Sequence, residues 1–287
     1  MSSQHLVIHA DDVGMSHGAN VAFLELSRLG TITSGSVMVP CPWFPEIAAA
    51  AAADSSLDLG VHLTLCAEQW PYRWRPVSNA TQASGLIDDD GYLWADVASV
   101  RRHAHPEAVE AEWRAQIDRA LAAGIDVTHL DAHMGAALAP EFCNRYLRLG
   151  VDYHLPVLLT ATLEGYAPRT PHLSDVSDER FAPFVDYARK IGLPVFDQVV
   201  ETDFGRPVSR PADYRAVFAG ITGALSFCAF HPAAAGDINV IEPGSCHVRI
   251  DEYELFRTGE WQQWLSEQSI ELIGMRGLRD DYRAALA

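Results

Sequence analysis

Apolar and polar positions along the chain switch repeatedly between two periods, which predicts alternating strands and helices. Leu6 to Ala10 is a continuous β-favouring run that stops on Asp11, Asp12 and Gly14, the pattern of a buried strand ending at a polar rim. Gly18 to Leu29 places apolar residues at Val21, Leu24 and Leu26 with Gly30 as a stop, so a helix follows. Ser34 to Val39 reads as a strand, Pro45 and Glu46 open an alanine-rich helix over Ile47 to Ala53, and Leu57 to Leu65 returns to strand character. Pro106 to Ala123 is the clearest helix, with Val109, Trp113, Ile117 and Leu121 recurring every fourth residue and Gly124 behind them. Ile125 to His133 is the next strand. Segments at Phe142 to Leu149, Pro156 to Thr160, Glu179 to Ile191, Pro194 to Val200, Asp213 to Ala219 and Leu225 to His231 continue the alternation, and Asp251 to Gln268 reads as one closing helix. No linker-like composition shift interrupts the series, which predicts a single α/β domain over residues 1–287. The pattern breaks only between about 66 and 106, in a long loop holding Trp70, Tyr72 and Trp74 and the turn-like Asp88-Asp89-Asp90-Gly91.

Composition narrows the partners. Lys and Arg number 21 against 38 Asp and Glu, so the net charge of −17 disfavours a phosphate backbone as ligand, and no nucleic-acid role is expected. Five cysteines, Cys41, Cys66, Cys143, Cys228 and Cys246, include no Cys-x-x-Cys pair and read as buried reduced thiols. The first residues lack a signal-peptide pattern, and no stretch approaches the roughly 20 apolar residues of a membrane span, so a soluble cytoplasmic protein is expected. Oligomeric state is left open, a homodimer included.

Four strand ends then collect the chemistry. His9-Ala10-Asp11-Asp12 places His9 and Asp11 on one face; Gly60-Val61-His62-Leu63-Thr64 does the same for His62 and Thr64. Thr128-His129-Leu130-Asp131-Ala132-His133 aligns His129, Asp131 and His133, and His231 ends the apolar run Phe227 to Phe230. A lone His near a strand end is commonly structural, and a carboxylate after a strand is commonly a helix cap, a role open to Asp12 or Ser16. Four strands delivering His or Asp to the edge where α/β folds place their sites point instead to a shared centre. Imidazoles with a carboxylate suit a divalent ion, and a neighbouring carboxylate suits a general base. Both Asp11 and Asp12 can face such a centre only if the chain turns there, for which Gly14 is the expected hinge. Trp70, Tyr72 and Trp74 read either as a stacking platform for a sugar or as a hydrophobic plug in the loop.

At these residues the chain resembles the YdjC-like carbohydrate deacetylase family. Its Ala-Asp-Asp-Phe-Gly motif is matched by Ala10 to Gly14, Gly-x-His-x-Thr-Leu by Gly60 to Leu65, Thr-His-x-Asp-x-His by Thr128 to His133, and a late His-Pro by His231-Pro232. Gly85 to Tyr92 resembles the loop after the second motif, and Arg249, Glu252, Tyr253 and Leu255 resemble the C-terminal helix. The resemblance implies a distorted TIM-like (β/α) barrel and one divalent cation, Mg2+ or Zn2+, held by Asp12, His62 and His133. It implies Asp11 as base and His231 as the acid toward a leaving amine, with His129 and Asp131 orienting the ligands; His9 and Thr64, placed by strand alternation, are weaker neighbours of the site. The implied substrate is an N-acetylated carbohydrate. His9 departs from the family, which has Asn there, and Met134-Gly135 and Ala233 also depart. Another metal-dependent hydrolase, of phosphoesterase or amidohydrolase type, and a non-catalytic carbohydrate-binding barrel are the competing readings.

Overall fold

The computed structural model describes residues 4–167 and 173–287. Strand β1 (Gln4–Val13) leads into helix α1 (His17–Leu29), whose N-terminus is capped by Ser16 Oγ accepting from Ala19 N–H at 2.9 Å. That leaves Asp12 free of capping duty. Strand β2 (Ser34–Val37), helix α2 (Phe44–Ala53) and strand β3 (Leu59–Leu63) follow as the periodicity predicts. Helix α3 (Val97–His103) lies inside the long loop, and helix α4 (Pro106–Ala122) leads to strand β4 (Val127–Ala132) and helix α5 (Cys143–Tyr153). Strand β5 (Tyr166–Ala167), helix α6 (Asp178–Lys190), strand β6 (Gln198–Glu201), helix α7 (Pro211–Ala219) and strand β7 (Leu225–Phe230) complete the alternation.

The strands pair in parallel in the order β4, β3, β2, β1, β7, β6, β5. Pro156 to Ala161 closes the sheet on itself. Leu130 N–H donates to Pro156 C=O and Leu158 N–H to Leu130 C=O, both at 2.9 Å, on the β4 side; Phe196 N–H donates to Leu159 C=O at 2.8 Å and Ala161 N–H to Phe196 C=O at 2.9 Å, just ahead of β6. Only isolated bridges form there, so the segment expected as a strand acts as an irregular seam in a distorted barrel. A continuous apolar core runs from Leu6 to Tyr282, as parallel strands buried on both faces require.

Two parts of the chain differ from the sequence expectation. The closing helix is two, α9 (Cys246–Phe256) and α10 (Gly259–Ser266), after the short α8 (Ile238–Ile241), because Thr258 Oγ1 takes Trp261 N–H at 3.2 Å and starts a new helix. Strand β8 (Ile270–Leu272) and helix α11 (Met275–Leu286) then follow, β8 pairing with the start of β1 beside the place where β2 takes over. The long loop is tied down. Buried Glu112 on α4 accepts from Val77 N–H (2.9 Å) and Ser78 N–H (2.8 Å), and Arg73 donates to Asp88 (2.6 Å) and Ala67 C=O (3.0 Å). All five cysteines are buried and free. Among the described residues no helix is long and apolar enough to cross a membrane.

Candidate active site

Parallel strands present their carboxyl ends together, so β1, β3, β4 and β7 deliver Asp11 and Asp12, His62, His133 and His231 to one cleft of about 670 Å3. Asp12 itself makes the turn that was expected at Gly14. Its φ of 60° is left-handed, a conformation Asp tolerates better than most residues, and it swings the carboxylate to the same side as Asp11; Gly14, at φ 90°, continues the bend.

Asp12 is 1 % exposed, and its Oδ1 has no hydrogen-bond donor although His133 Nδ1 is 3.1 Å and His62 Nε2 3.4 Å away. Both rings are oriented from behind. His62 Nδ1 bonds Ser36 Oγ at 3.1 Å, whose hydroxyl donates to Asp131 Oδ2 at 2.8 Å, with Asp131 Oδ1 3.0 Å from the same nitrogen. His133 Nε2 bonds Glu68 Oε2 at 3.0 Å. Each ring therefore turns its remaining nitrogen toward Asp12, the arrangement by which outer carboxylates aim imidazole ligands. An orphaned buried carboxylate oxygen between two aimed imidazole nitrogens fits a divalent cation.

The electrostatics agree. Burial opposes charge on Asp12, yet Arg249, whose Nη1 lies 2.9 Å from Oδ2, together with His133 holds its carboxyl well below the usual range. Burial also opposes charge on the two rings, but Asp131 and Asp12 raise His62 well above its ordinary value, and Glu68 and Asp12 raise His133 to about 9. The buried carboxylate and the carboxylates behind the rings thus favour positive charge at the centre of the trio.

Asp11 Oδ2 lies 3.7 Å from His231 Nε2 and 4.0 Å from His62 Nε2. Its other oxygen takes His9 Nδ1 at 2.6 Å. His231 is anchored through Nδ1, 2.9 Å from Thr202 Oγ1, and the Thr202 hydroxyl donates to buried Glu252 at 2.7 Å. That hydroxyl has one proton, so the His231 Nδ1–H is the donor and Nε2 faces the cleft bare. Burial pushes His231 down to about 4, consistent with a neutral ring. Burial also raises Glu252 to about 7, and burial with the nearby Asp11 raises Glu201 on the cleft wall to about 7.

Other expected residues have different places. His129 is fully buried inside the barrel, where Gly60 makes room: a Cβ there would come within 2.5 Å of the His129 ring. Thr64 is buried with its hydroxyl on His62 C=O at 2.6 Å, turned away from the cleft. Trp70, Tyr72 and Trp74 do not form one platform. Trp74 is 2 % exposed and packs at 6.4 Å from His133, Tyr72 bonds Met15 C=O at 2.7 Å, and Trp70 is 74 % exposed. Sequence reasoning missed Glu68, Ser36, Thr202, Glu201 and Glu242 altogether. Arg249 and Glu252 stood out only through the likeness of their helix, and their three-residue spacing, which puts both on one face of α9, was the available signal.

Fold and site together define a parallel (β/α) barrel with an aspartate and histidine centre at the carboxyl ends of its strands. A sequence profile described as "YdjC-like protein" matches residues 5–267, and the chain belongs to the YdjC-like family. It is similar to a carbohydrate deacetylase of Thermus thermophilus, 39% identical over 193 residues, 66% of this chain and 67% of that one. A carbohydrate deacetylase of Brevibacillus brevis is 28% identical over 268 residues, 93% of this chain and 97% of that one. A crystal structure from Enterococcus faecalis V583, provisionally described as a cellobiose-phosphate cleavage protein, superposes with a TM-score of 0.77 over 96% of this chain and 99% of that one, at 23% identity, and shows the shared fold.

Proposed function

We propose that this protein is a carbohydrate deacetylase that hydrolyses the amide of an N-acetylated sugar with the help of one divalent cation. The observation that carries the reading is the buried, donor-free Asp12 Oδ1 between His62 Nε2 and His133 Nδ1, with Asp11 and His231 facing each other beside it. Asp12, His62 and His133 would hold the cation. When bound, such an ion lowers the pKa of water and polarises a carbonyl oxygen.

The remaining steps belong to the side chains. Asp11 Oδ2 accepts the proton of the attacking water while its Oδ1 stays fixed on His9. His231, with Nδ1 held by Thr202, offers Nε2 as the atom that receives this proton and passes it to the amide nitrogen as the C–N bond breaks. Acetate and an amine result, and Asp11 and His231 return to their starting states. Asp131 and Glu68 keep the two imidazoles in the required tautomers.

A phosphoesterase fits less well. Among the described residues lining the cleft Arg249 is the sole Lys or Arg, and both Asp12 and Glu242 engage it, at 2.9 and 2.7 Å, so none of these residues offers a free cationic side chain to a phosphate. Acetate release from N-acetylglucosamine oligomers, measured with Mg2+ or Zn2+ and after chelation, tests the proposal. Release that stops on chelation and returns with metal supports it. Absence of acetate under every metal condition overturns it, and sugar binding indifferent to chelator would then favour a binding barrel.

A further inference from the structure

A chain of hydrogen bonds runs through the barrel from the cleft to the opposite end, and its direction can be read from proton counting. Asp58, just before β3, accepts Thr128 Oγ1–H at 2.6 Å, Ser34 Oγ–H at 3.1 Å and Arg276 N–H at 2.8 Å. All three are donors, as an ionised carboxylate requires. The Thr128 hydroxyl has a single proton and spends it on Asp58. His129 Nδ1, 3.0 Å from Thr128 Oγ1, must then be the donor in that contact. The 3.0 Å contact between His129 Nε2 and His9 Nε2 holds one proton, and it belongs to His9, which faces Asp11 Oδ1 at 2.6 Å and Asp131 Oδ2 at 3.9 Å, whereas His129 Nδ1 faces only the uncharged Thr128 hydroxyl; His129 is then neutral and its Nε2 accepts. At the other edge of the ring, His9 Nδ1 meets Asp11 Oδ1 at 2.6 Å, a contact that also needs a proton.

From this polarity we infer that His9 is a buried imidazolium, donating from both ring nitrogens, which fixes Asp11 Oδ1 and turns Oδ2 to the cleft. The groups around it fit. Asp11 on β1 and Asp131 on β4, whose Oδ2 is 3.9 Å from His9 Nε2, are the acidic neighbours; the β7 side contributes the uncharged Phe227 ring at 4.8 Å. Burial, with the His9 ring beside it, pushes His129 down to about 3, in keeping with a neutral partner. His9 does not touch substrate and acts on the base through one hydrogen bond; it is a positioning residue. A charge-assisted bond holds the carboxylate more firmly than a neutral donor does.

The assignment of charge stands on hydrogen-bond direction and on the two carboxylates beside His9, whereas its effect on Asp11 as a base rests on the proposed reaction. Long-range 1H–15N correlation of 15N-histidine-labelled full-length protein near neutral pH separates the two, because it needs no turnover. Both His9 nitrogens are expected to show protonated shifts, and His129 one protonated Nδ1 and one bare Nε2; His9→Asn assigns the His9 signals by deleting them. Thr128→Val removes the acceptor of His129 Nδ1–H, so His129 should change tautomer and His9 fall to a single proton, while Thr128→Ser restores the wild-type pattern. His9→Asn should lower kcat about tenfold with KM held within about twofold, because the ground-state cleft is unchanged. A bare nitrogen on wild-type His9, or two protons on His129, overturns the inference even if Thr128→Val fails to fold. An imidazolium at His9 in a protein that releases no acetate would leave the inference standing and refute the reaction.

Discussion

The two ends of the barrel use the same residue types in opposite ways. At the amino ends of the strands Asp126 accepts Arg279 Nη1 at 2.6 Å and also bonds Arg276, and Asp58 takes three donors; each carboxylate is saturated. At the carboxyl ends Asp12 has Arg249 on one oxygen and nothing donating to the other. A structural ion pair completes its hydrogen bonds, whereas a working site withholds one. The difference separates stability from chemistry, which makes it open to mutation.

The largest effect is expected at the incomplete end. Asp12→Asn keeps the shape but removes the charge, and should cut kcat/KM by on the order of 10³-fold together with divalent-metal content, measured by elemental analysis. Full metal content in that variant would show that the orphaned oxygen is not a ligand. Asp11→Asn comes next, with kcat down by about 10²- to 10⁴-fold while bound metal is unchanged. Ser36→Ala loosens the bridge between His62 and Asp131 and should weaken metal affinity about 10- to 100-fold, read by competition with a chromogenic chelator.

The saturated end predicts the reverse. Arg279→Ala removes donors to Asp126 and to Val127 C=O and should cost about 1–2 kcal/mol in urea unfolding, with kcat unchanged. The smallest effect is in pH. Burial raises Asp126, but Arg279 and Arg276 outweigh it and hold the carboxyl below its usual value. A depressed folded value contributes stability above the unfolded pKa of about 3.9, and that stability is lost as pH falls through the folded value. Asp126 is half-exposed, so the loss is slight. Arg279→Ala should flatten this acid limb of the unfolding midpoint against pH; an unaltered limb would assign it to other carboxylates.

How far this contrast could be read beforehand depends on which residues were local in sequence. His9 with Asp11, and His129 with Asp131, follow from strand alternation, and their strands ended where the apolar runs ended. Pro156 to Thr160 had strand composition but makes one isolated bridge on each side, Val157 to Leu130 and Thr160 to Phe196, because each neighbour meets it over only a residue or two. The break at Thr258 hid inside a helix-like stretch because a capping threonine looks the same as an exposed one until its partner is known. Arg249 and Glu68 reach the centre across long sequence separations that periodicity does not record. The aromatic loop carried two readings because burial, which separates Trp74 from Trp70, comes from packing partners outside the loop.

The left-handed backbone at Asp12 puts folding and function in direct competition at one residue. Glycine would adopt that φ without the steric conflict of a Cβ, which is worth about 1 kcal/mol, and would remove a buried charge from the metal-free protein. It would also remove the ligand. A library sorted for heat resistance and the same library sorted for acetate release would therefore part company first at position 12.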